Sequence, residues 1–150
     1  MDIRPAQMTD LGGIQKCAEA AYNKYVERIG KPPAPMIADF EEQIRNGIVH
    51  VLSKDNVIAG YVALYRRGDH LHLESVAVDP AFQGMGCGIR LIAFVEKCAA
   101  EAGAQAVELY TNAKMTENLS LYPHLGYIET GRRHEDGFER VFFRKELAAG

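Results

Sequence analysis

Cysteine is sparse in this chain and scattered where it occurs. Cys17, Cys87 and Cys98 are an odd number with no CxxC pair. That argues against a disulfide framework or a zinc site and suits free thiols in a reducing cytosol. Basic excess is also missing, since 17 Lys and Arg stand against 20 Asp and Glu for a net charge of −3. Nucleic-acid binding needs a basic footprint, so no nucleic-acid partner is expected, although a local basic patch around a small anion stays open. The opening residues, Met1 to Asp10, lack the apolar core of a signal peptide. No apolar run reaches the length of a membrane span. Neither an internal repeat nor a linker-like or low-complexity tract divides the chain. These absences point to one cytoplasmic domain over residues 1–150, without a membrane partner.

What is present fits a folded domain. The chain has 150 residues, enough to bury a core, and is 47% hydrophobic and 25% charged. Met1 to Pro5 reads as a first strand. Thr9 or Asp10 can cap a helix whose Leu11, Ile14, Ala18, Ala21, Tyr22 and Tyr25 recur at helical spacing. Gly30 to Pro35 is a loop, and a short helix is expected from Ile37 to Asn46, stopped by Gly47. Three strand-like runs follow, Ile48 to Ser53, Val57 to Arg67 and His70 to Val78, joined so tightly that they imply an antiparallel meander. A glycine-rich loop, Gln83 to Gly88, opens a helix from Ile89 to Ala102. Then come a strand from Ala106 to Thr111, a short helix near Thr116 to Leu125, and a hairpin pairing Tyr127–Arg133 with Phe138–Leu147. The order β-α-α-β-β-β-α-β-α-β-β is that of an α/β domain with a mixed, mostly antiparallel sheet flanked by helices.

The most informative stretch is that loop. A strand ends at Asp79-Pro80, and Gly84, Gly86 and Gly88 at alternate positions lead straight into a helix. Glycines let main-chain N–H groups turn inward, and a helix N-terminus adds partial positive charge, so the site favours an anion and a pyrophosphate in particular. A Walker loop needs Gly-Lys followed by Ser or Thr, whereas this loop ends Gly88-Ile89-Arg90. A dinucleotide fingerprint needs its third glycine two residues later and an early βαβ strand. The bland alternative is a helix entry whose glycines serve only packing.

Gln83-x-x-Gly86-x-Gly88 after Val76-Ala77-Val78-Asp79-Pro80 resembles the acetyl-CoA loop of the GNAT superfamily of N-acetyltransferases. Asn118-Leu119-Ser120-Leu121-Tyr122-Pro123-His124-Leu125-Gly126-Tyr127 resembles the superfamily's second signature, and the element order agrees along essentially the whole chain. The resemblance implies acetyl-CoA as cosubstrate and no metal. It implies that the main chain of Val76, Ala77 and Val78 bonds the acetyl and pantetheine portion. Gln83, Gly84, Met85, Gly86, Cys87, Gly88 and Ile89 would wrap the pyrophosphate. Such binding runs through backbone atoms, so the side chains of Met85 and Cys87 are less constrained. Cys87 is read as a bystander rather than a nucleophile, because no His or Asp is placed to activate it. The family often has an asparagine seven residues before the tyrosine. Met115 stands there, and Asn118, four before on the same helix face, is the substitute.

Making an amide from a thioester needs a neutral amine, a stabilised carbonyl oxygen and a protonated leaving thiolate. By position in the resembled motif, Tyr122 is the candidate for the last task; a phenol near pKa 10 passes a proton to a thiolate near 8.5 only mildly uphill. The other reading of Tyr122 is a ring packed in the core. Glu74 is the candidate general base or water-orienting carboxylate, with alternation partners His70, His72, Val76 and Val78 on its strand face, and Glu108 is a weaker substitute. Residues at i, i+2 and i+4 of one strand span too far to converge on a metal. Tyr22, Tyr25, Arg28 and the Lys31–Met36 loop lie where similar proteins wall the acceptor site. The function expected is N-acetyl transfer to a primary amine of a small molecule or a peptide, by direct attack. The alternative is a non-catalytic acyl-CoA-binding or sensing module. The acceptor, the use of other acyl groups, and a homodimer are left open.

Overall fold

In a computed structural model, which describes residues 1–148, the chain forms seven strands and four helices. The order is β1 (Asp2–Pro5), α1 (Leu11–Ile29), α2 (Phe40–Arg45), β2 (Val49–Lys54), β3 (Val57–Arg67), β4 (His70–Val78), α3 (Cys87–Glu101), β5 (Ala106–Asn112), α4 (Thr116–His124), β6 (Ile128–Glu135) and β7 (Phe138–Glu146). All seven strands join one sheet in the order β1-β2-β3-β4-β5-β7-β6. Every pairing is antiparallel except β4 with β5. Among the described residues no helix is long and apolar enough to cross a membrane.

Local chemistry accounts for the meander. Asp55 and Asn56 both take positive φ (52° and 65°) in the two-residue turn between β2 and β3, as do Asp136 (55°) and Gly137 (78°) between β6 and β7. Turns of that hand match the twist of the strands they join. Gly68 (φ 63°) turns β3 into β4. Alternation along the strands then feeds two cores. On one face α3 lays Leu91, Ile92, Val95 and Ala99 over Leu52, Val62, Leu71, Leu73, Val107 and Phe143. On the other, Ile14, Ala18, Tyr22 and Tyr25 of α1 and Phe40 and Ile44 of α2 cover Val49, Val51, Tyr61, Ala63 and Ala77.

Strand ends move by a residue or two, and three helix N-termini depart from expectation. Helix α2 starts at Phe40, because the Asp39 carboxylate accepts from Glu42 N–H (3.1 Å) and caps it there, leaving Ala34–Ile37 as a separate 3₁₀ turn. Helix α3 starts at Cys87, directly after left-handed Gly86. Asp10 caps nothing at the head of α1; its carboxylate accepts from Gln7 N–H (2.7 Å) and from Arg4 (2.8 and 2.9 Å) inside a 3₁₀ turn.

The largest departure lies in β4. Ala63 pairs with Ser75 and Leu64 with Leu73, so Glu74 is an extra residue, a β-bulge. The bulge reverses the parity of the strand. Leu71 and Leu73 face the α3 core before it, and Val76 and Val78 face that core after it, while Ala77 faces α1. Regular alternation therefore fails, and Glu74 does not share a face with Val76 and Val78. It keeps company with His72 instead.

Helix α3 crosses the sheet at Gly60, where an added Cβ would lie 2.6 Å from the Ala77 carbonyl oxygen and 3.0 Å from Leu91 Cδ1. The carbonyl belongs to the ladder and cannot yield. Gly60→Ala is therefore expected to cost about 1–3 kcal/mol in urea unfolding, from overpacking alone. A loss below about 0.5 kcal/mol would show that β3 and β4 separate there at little cost.

Candidate active site

Pairing of β4 with β5 runs from His70↔Ala106 to Leu73↔Leu109 and then stops, although both strands continue. The bulge at Glu74 falls at that point. Beyond it β4 stays with β3 through Gly60↔Val78, and β5 stays with β7 through Asn112↔Arg140, so the sheet opens between them. Asp79 N–H donates to the Ala59 carbonyl (2.8 Å). By alternation, the odd-numbered main-chain groups here serve β3, and those of Val76 and Val78 turn to the opening. The Val76 carbonyl accepts from the Tyr22 hydroxyl (2.7 Å) across the gap. Ala77, expected to share the task of its neighbours, has its main-chain groups committed to β3 by the same alternation.

The N-terminus of α3 points into the same region. Gly84 (φ 80°) and Gly86 (φ 75°) are left-handed. The first i→i−4 bond of the helix is Arg90 N–H to the Gly86 carbonyl (3.0 Å), so the N–H groups of Cys87, Gly88 and Ile89 precede the ladder and are available to an anion. Met85 and Ile89 point their side chains to solvent, at 52% and 56% exposure. Cys87 is buried in the α3 core with Sγ 3.8 Å from Met1 Sδ, and it has no base beside it.

Two hollows adjoin in the opening. One lies on the α3 side and is lined by Val76, Ala77, Val78, Gln83, Gly88 and Ile92. The other lies on the hairpin side and is lined by Glu74, Ser75, Tyr110, Phe138, Arg140 and the Pro33–Pro35 segment. Tyr22, Val76, Asn118 and Tyr122 line both. Asn118 Nδ2 donates to Thr111 Oγ1 (3.1 Å), fixing α4 to β5. Tyr122 packs its ring on Tyr127 and Phe143, with centroids 5.8 and 5.7 Å away. Its hydroxyl has no hydrogen-bond partner among the described residues, and burial pushes the phenol well above its ordinary pKa. The ring thus belongs to the core, while the residue lines both hollows.

Glu74 lines the hairpin-side hollow. One carboxylate oxygen lies 3.0 Å from His72 Nε2 and accepts from the Tyr65 hydroxyl (3.4 Å), and the other accepts from Tyr110 (3.4 Å). The hydrogen bond with His72, first among these, lowers the Glu74 pKa, so this carboxylate is ionised and only a weak proton acceptor. Glu108 pairs with Arg144 and lies 3.4 Å from His70 Nδ1, outside both hollows. It cannot substitute for Glu74. No group of three or more metal-ligating side chains gathers among the described residues.

The acceptor-side expectation divides. Tyr22 lines both hollows, Tyr25 the α3-side one and Pro33–Pro35 the other. Arg28 instead joins a clamp between α1 and α4: its Nη1 donates to Glu117 (2.7 Å) and to the Lys114 carbonyl (3.1 Å), and the Tyr25 hydroxyl donates to Glu117 (2.9 Å). Tyr110, Arg140, Phe138 and Glu117 escaped the sequence reading. The available signal was a single arginine between Phe138 and Phe142 on one strand face, where a solvated strand would alternate more polar residues.

Comparison with known proteins agrees with the fold. Residues 15–127 match the family described as Acetyltransferase (GNAT) family. No match was found among curated proteins. The ribosomal-protein-S18-alanine N-acetyltransferase of Escherichia coli is similar in structure, with a TM-score of 0.78 at 20% identity over 99% of this chain and 95% of that one. The PaiA N-acetyltransferase of Thermoplasma acidophilum, solved in complex with coenzyme A, gives 0.74 at 17% identity over 97% and 98%. Ard1 of Thermoplasma volcanium gives 0.72 at 16% over 99% and 98%. At these identities the likeness is one of fold.

The α1–α4 clamp makes a pH prediction. Chiefly through its hydrogen bond from Arg28, the Glu117 carboxyl is drawn down to about 2 from 4.5. A value lowered on folding adds stability above pH 4.5 that disappears as pH falls through about 2. Glu117 is half-exposed, so after solvent screening the contribution is at most about 1 kcal/mol. Unfolding of wild type and Glu117→Gln across this range should show a gap at neutral pH that closes in acid. A gap independent of pH would mean that the clamp does not depend on the charge.

Proposed function

The chain belongs to the GNAT acetyltransferase family, and we propose that it transfers the acetyl group of acetyl-CoA to a primary amine by direct attack. The observation that carries the reading is Tyr122, a residue that lines both hollows and whose hydroxyl has no hydrogen-bond partner among the described residues. A donor group entering from the α3 side and an acceptor entering from the hairpin side meet beside that oxygen. The donor supplies an activated thioester; everything else is the work of the chain.

On the donor side, the main-chain groups of Val76 and Val78 extend the β4 ladder to the pantetheine amides. Gln83 and the N–H groups of the Gly84–Ile89 segment hold the pyrophosphate at the head of α3, and Asn118 lines the path from α4. On the acceptor side, Glu74 attracts the ammonium form of the amine and orients a water molecule that carries its proton away. Held low by His72, this carboxylate works through charge and position rather than through strong basicity. The amine nitrogen then bonds the carbonyl carbon, the carbon–sulfur bond breaks, Tyr122 gives its proton to the departing thiolate, and the proton that the new amide nitrogen sheds returns through water to the phenolate. The raised pKa of Tyr122 keeps the phenol proton in place throughout the neutral range. It also makes the transfer more uphill than for an ordinary phenol, so the step relies on the position of the hydroxyl beside the charge that develops on sulfur.

Cofactor binding is tested at Gly86. Acetyl-CoA at a hundredfold excess over its dissociation constant should stabilise the wild-type fold by about 2.7 kcal/mol. Gly86→Val puts a β-branched residue at φ 75° and should abolish that shift while the protein still folds. A folded variant with an undiminished shift would move the pyrophosphate elsewhere.

Chemistry is tested at Tyr122. Because its hydroxyl has no protein partner, Tyr122→Phe should leave unfolding within about 0.5 kcal/mol of wild type. Acetyl-CoA affinity should hardly change, while single-turnover acetyl transfer falls about 10²- to 10⁴-fold. A normal rate in the variant would assign the proton to water. Binding of acetyl-CoA without thiol release for any amine would leave a non-catalytic binding module in place of the enzyme.

A further inference from the structure

Only two charged side chains line the hairpin-side hollow, Glu74 and Arg140, and they are opposite in sign. Arg140 lies on β7 and is 8% exposed. Its Nη1 donates to Glu135 (3.1 Å) and Asp136 (3.0 Å) at the hairpin turn. Nε and Nη2 have no partner among the described residues. The guanidinium Cζ lies 4.4 Å from the Tyr110 ring centroid and 5.6 Å from that of Phe138, within cation–π range of both.

The unused edge matters because Nε and Nη2 form the side-on fork of an arginine. Arg132 shows that geometry in this same chain, donating from Nε (3.2 Å) and Nη2 (3.1 Å) to the two oxygens of Glu129. A carboxylate matches such a fork with two parallel hydrogen bonds. Glu135 and Asp136 sit toward solvent, with side chains 37% and 77% exposed. They hold Nη1 and fix the plane of the guanidinium without taking the fork. They also cancel much of the positive charge, so the fork suits a monoanion; a phosphate dianion would find no second cation in the hollow.

Tyr110 sets the spacing between the two charges. Its hydroxyl donates to Glu74 Oε1 (3.4 Å) and its ring supports Arg140. Ammonium and carboxylate sites are thus one tyrosine side chain apart on a single wall. We propose that the acceptor is an amino acid, its carboxylate held by the Nε–Nη2 fork of Arg140 and its amine drawn to Glu74. This assignment rests on the acetyl-transfer reading and adds the substrate class to it. Arg140 is then a residue that determines specificity and takes no part in bond making.

The experiment compares matched acceptors under saturating acetyl-CoA: free amino acids, their carboxamides, and the amines lacking the carboxyl group, such as cadaverine against lysine. Rates are read by thiol release and expressed per concentration of neutral amine, because a carboxamide is the less basic partner. Wild type should favour at least one amino acid over its carboxamide by about 10- to 100-fold in kcat/KM, the range of a charge-assisted hydrogen-bond pair. Arg140→Gln should erase that ratio through KM, and Arg140→Lys, which keeps charge but loses the fork, should restore it only in small measure. Thermal unfolding and acetyl-CoA binding of each variant verify that the hairpin is intact; if Arg140→Gln fails to fold, the wild-type ratio and Arg140→Lys decide. Carboxamides or plain amines accepted as well as amino acids would overturn the amino-acid assignment while acetyl transfer stands. A carboxylate preference that survives both substitutions would overturn the role of Arg140. No release with any acceptor, despite acetyl-CoA binding, would remove the acetyl-transfer reading itself, and this assignment with it.

Discussion

One extra residue in β4 controls the rest of the structure. A parallel neighbour normally runs alongside a strand to its end, and in this sheet β4 and β5 begin that way. With Glu74 unpaired, the second half of β4 bends toward β3 and leaves β5 to β7. A bulge sharpens the local twist and bends its strand, which is the deformation needed to spread neighbouring strands without breaking either from its outer partner. The opening contains main-chain groups that a closed sheet would have consumed. It also makes Glu74 the residue at the apex, directed to the face that carries His72 and Tyr110.

The charges around the opening follow from how each is buried. Tyr122 is enclosed by Tyr127 and Phe143 and is therefore held neutral. Glu74 is half-buried but has three hydrogen-bond neighbours, and the one with His72 outweighs the desolvation that opposes it, so it is held charged. A neutral acid and an ionised carboxylate stand on the two sides of one gap, each fixed by its surroundings before any substrate arrives. Tyr110 links this pair to Arg140, and its own phenol, pushed up to about 12 mainly by burial, keeps its proton. Bonds between separate elements keep the arrangement rigid: Tyr22 to Val76, Tyr25 to Glu117 and Asn118 to Thr111.

Much of the fold was legible in the sequence because its signals are local. Asp55-Asn56, Gly68 and Asp136-Gly137 mark turns through backbone conformations that few residues adopt, and they fix three hairpins whose strand ends move by a residue or two at most. The glycine loop and the Tyr122 segment were equally visible, and so was the absence of a base beside Cys87. What escaped depends on pairing between strands. Nothing in His70-Leu71-His72-Leu73-Glu74-Ser75 distinguishes a regular strand from a bulged one, so Glu74 was given the wrong neighbours and Ala77 the wrong edge. Arg140, between Phe138 and Phe142 on its strand face, gains its surroundings only when β5 is set beside β7, bringing Asn112 opposite it and Tyr110 beneath it. Glu108 was the weaker substitute for Glu74, and only the register shows that Arg144 occupies it.

A site assembled in this way divides its demands on the sequence unevenly. The donor half depends on backbone direction, a bulge and a helix N-terminus, which many side chains can support. Met85 and Ile89 face solvent there, and Cys87 merely packs. This is the physical reason a fold with a TM-score of 0.78 to a solved N-acetyltransferase can persist at 20% identity. The hairpin-side hollow takes side chains from β4, β5, β7 and the segment after α1, besides Tyr22 of α1 and Asn118 and Tyr122 of α4, which line both hollows. On the proposed reading, chemistry is held by the sheet and selectivity by the hairpin and the Pro33–Pro35 loop. Arg140 belongs to the second group, but its guanidinium is stacked on Tyr110, whose hydroxyl bonds the carboxylate at the apex of the opening. Through that one ring the hairpin is tied to the apex of the opening.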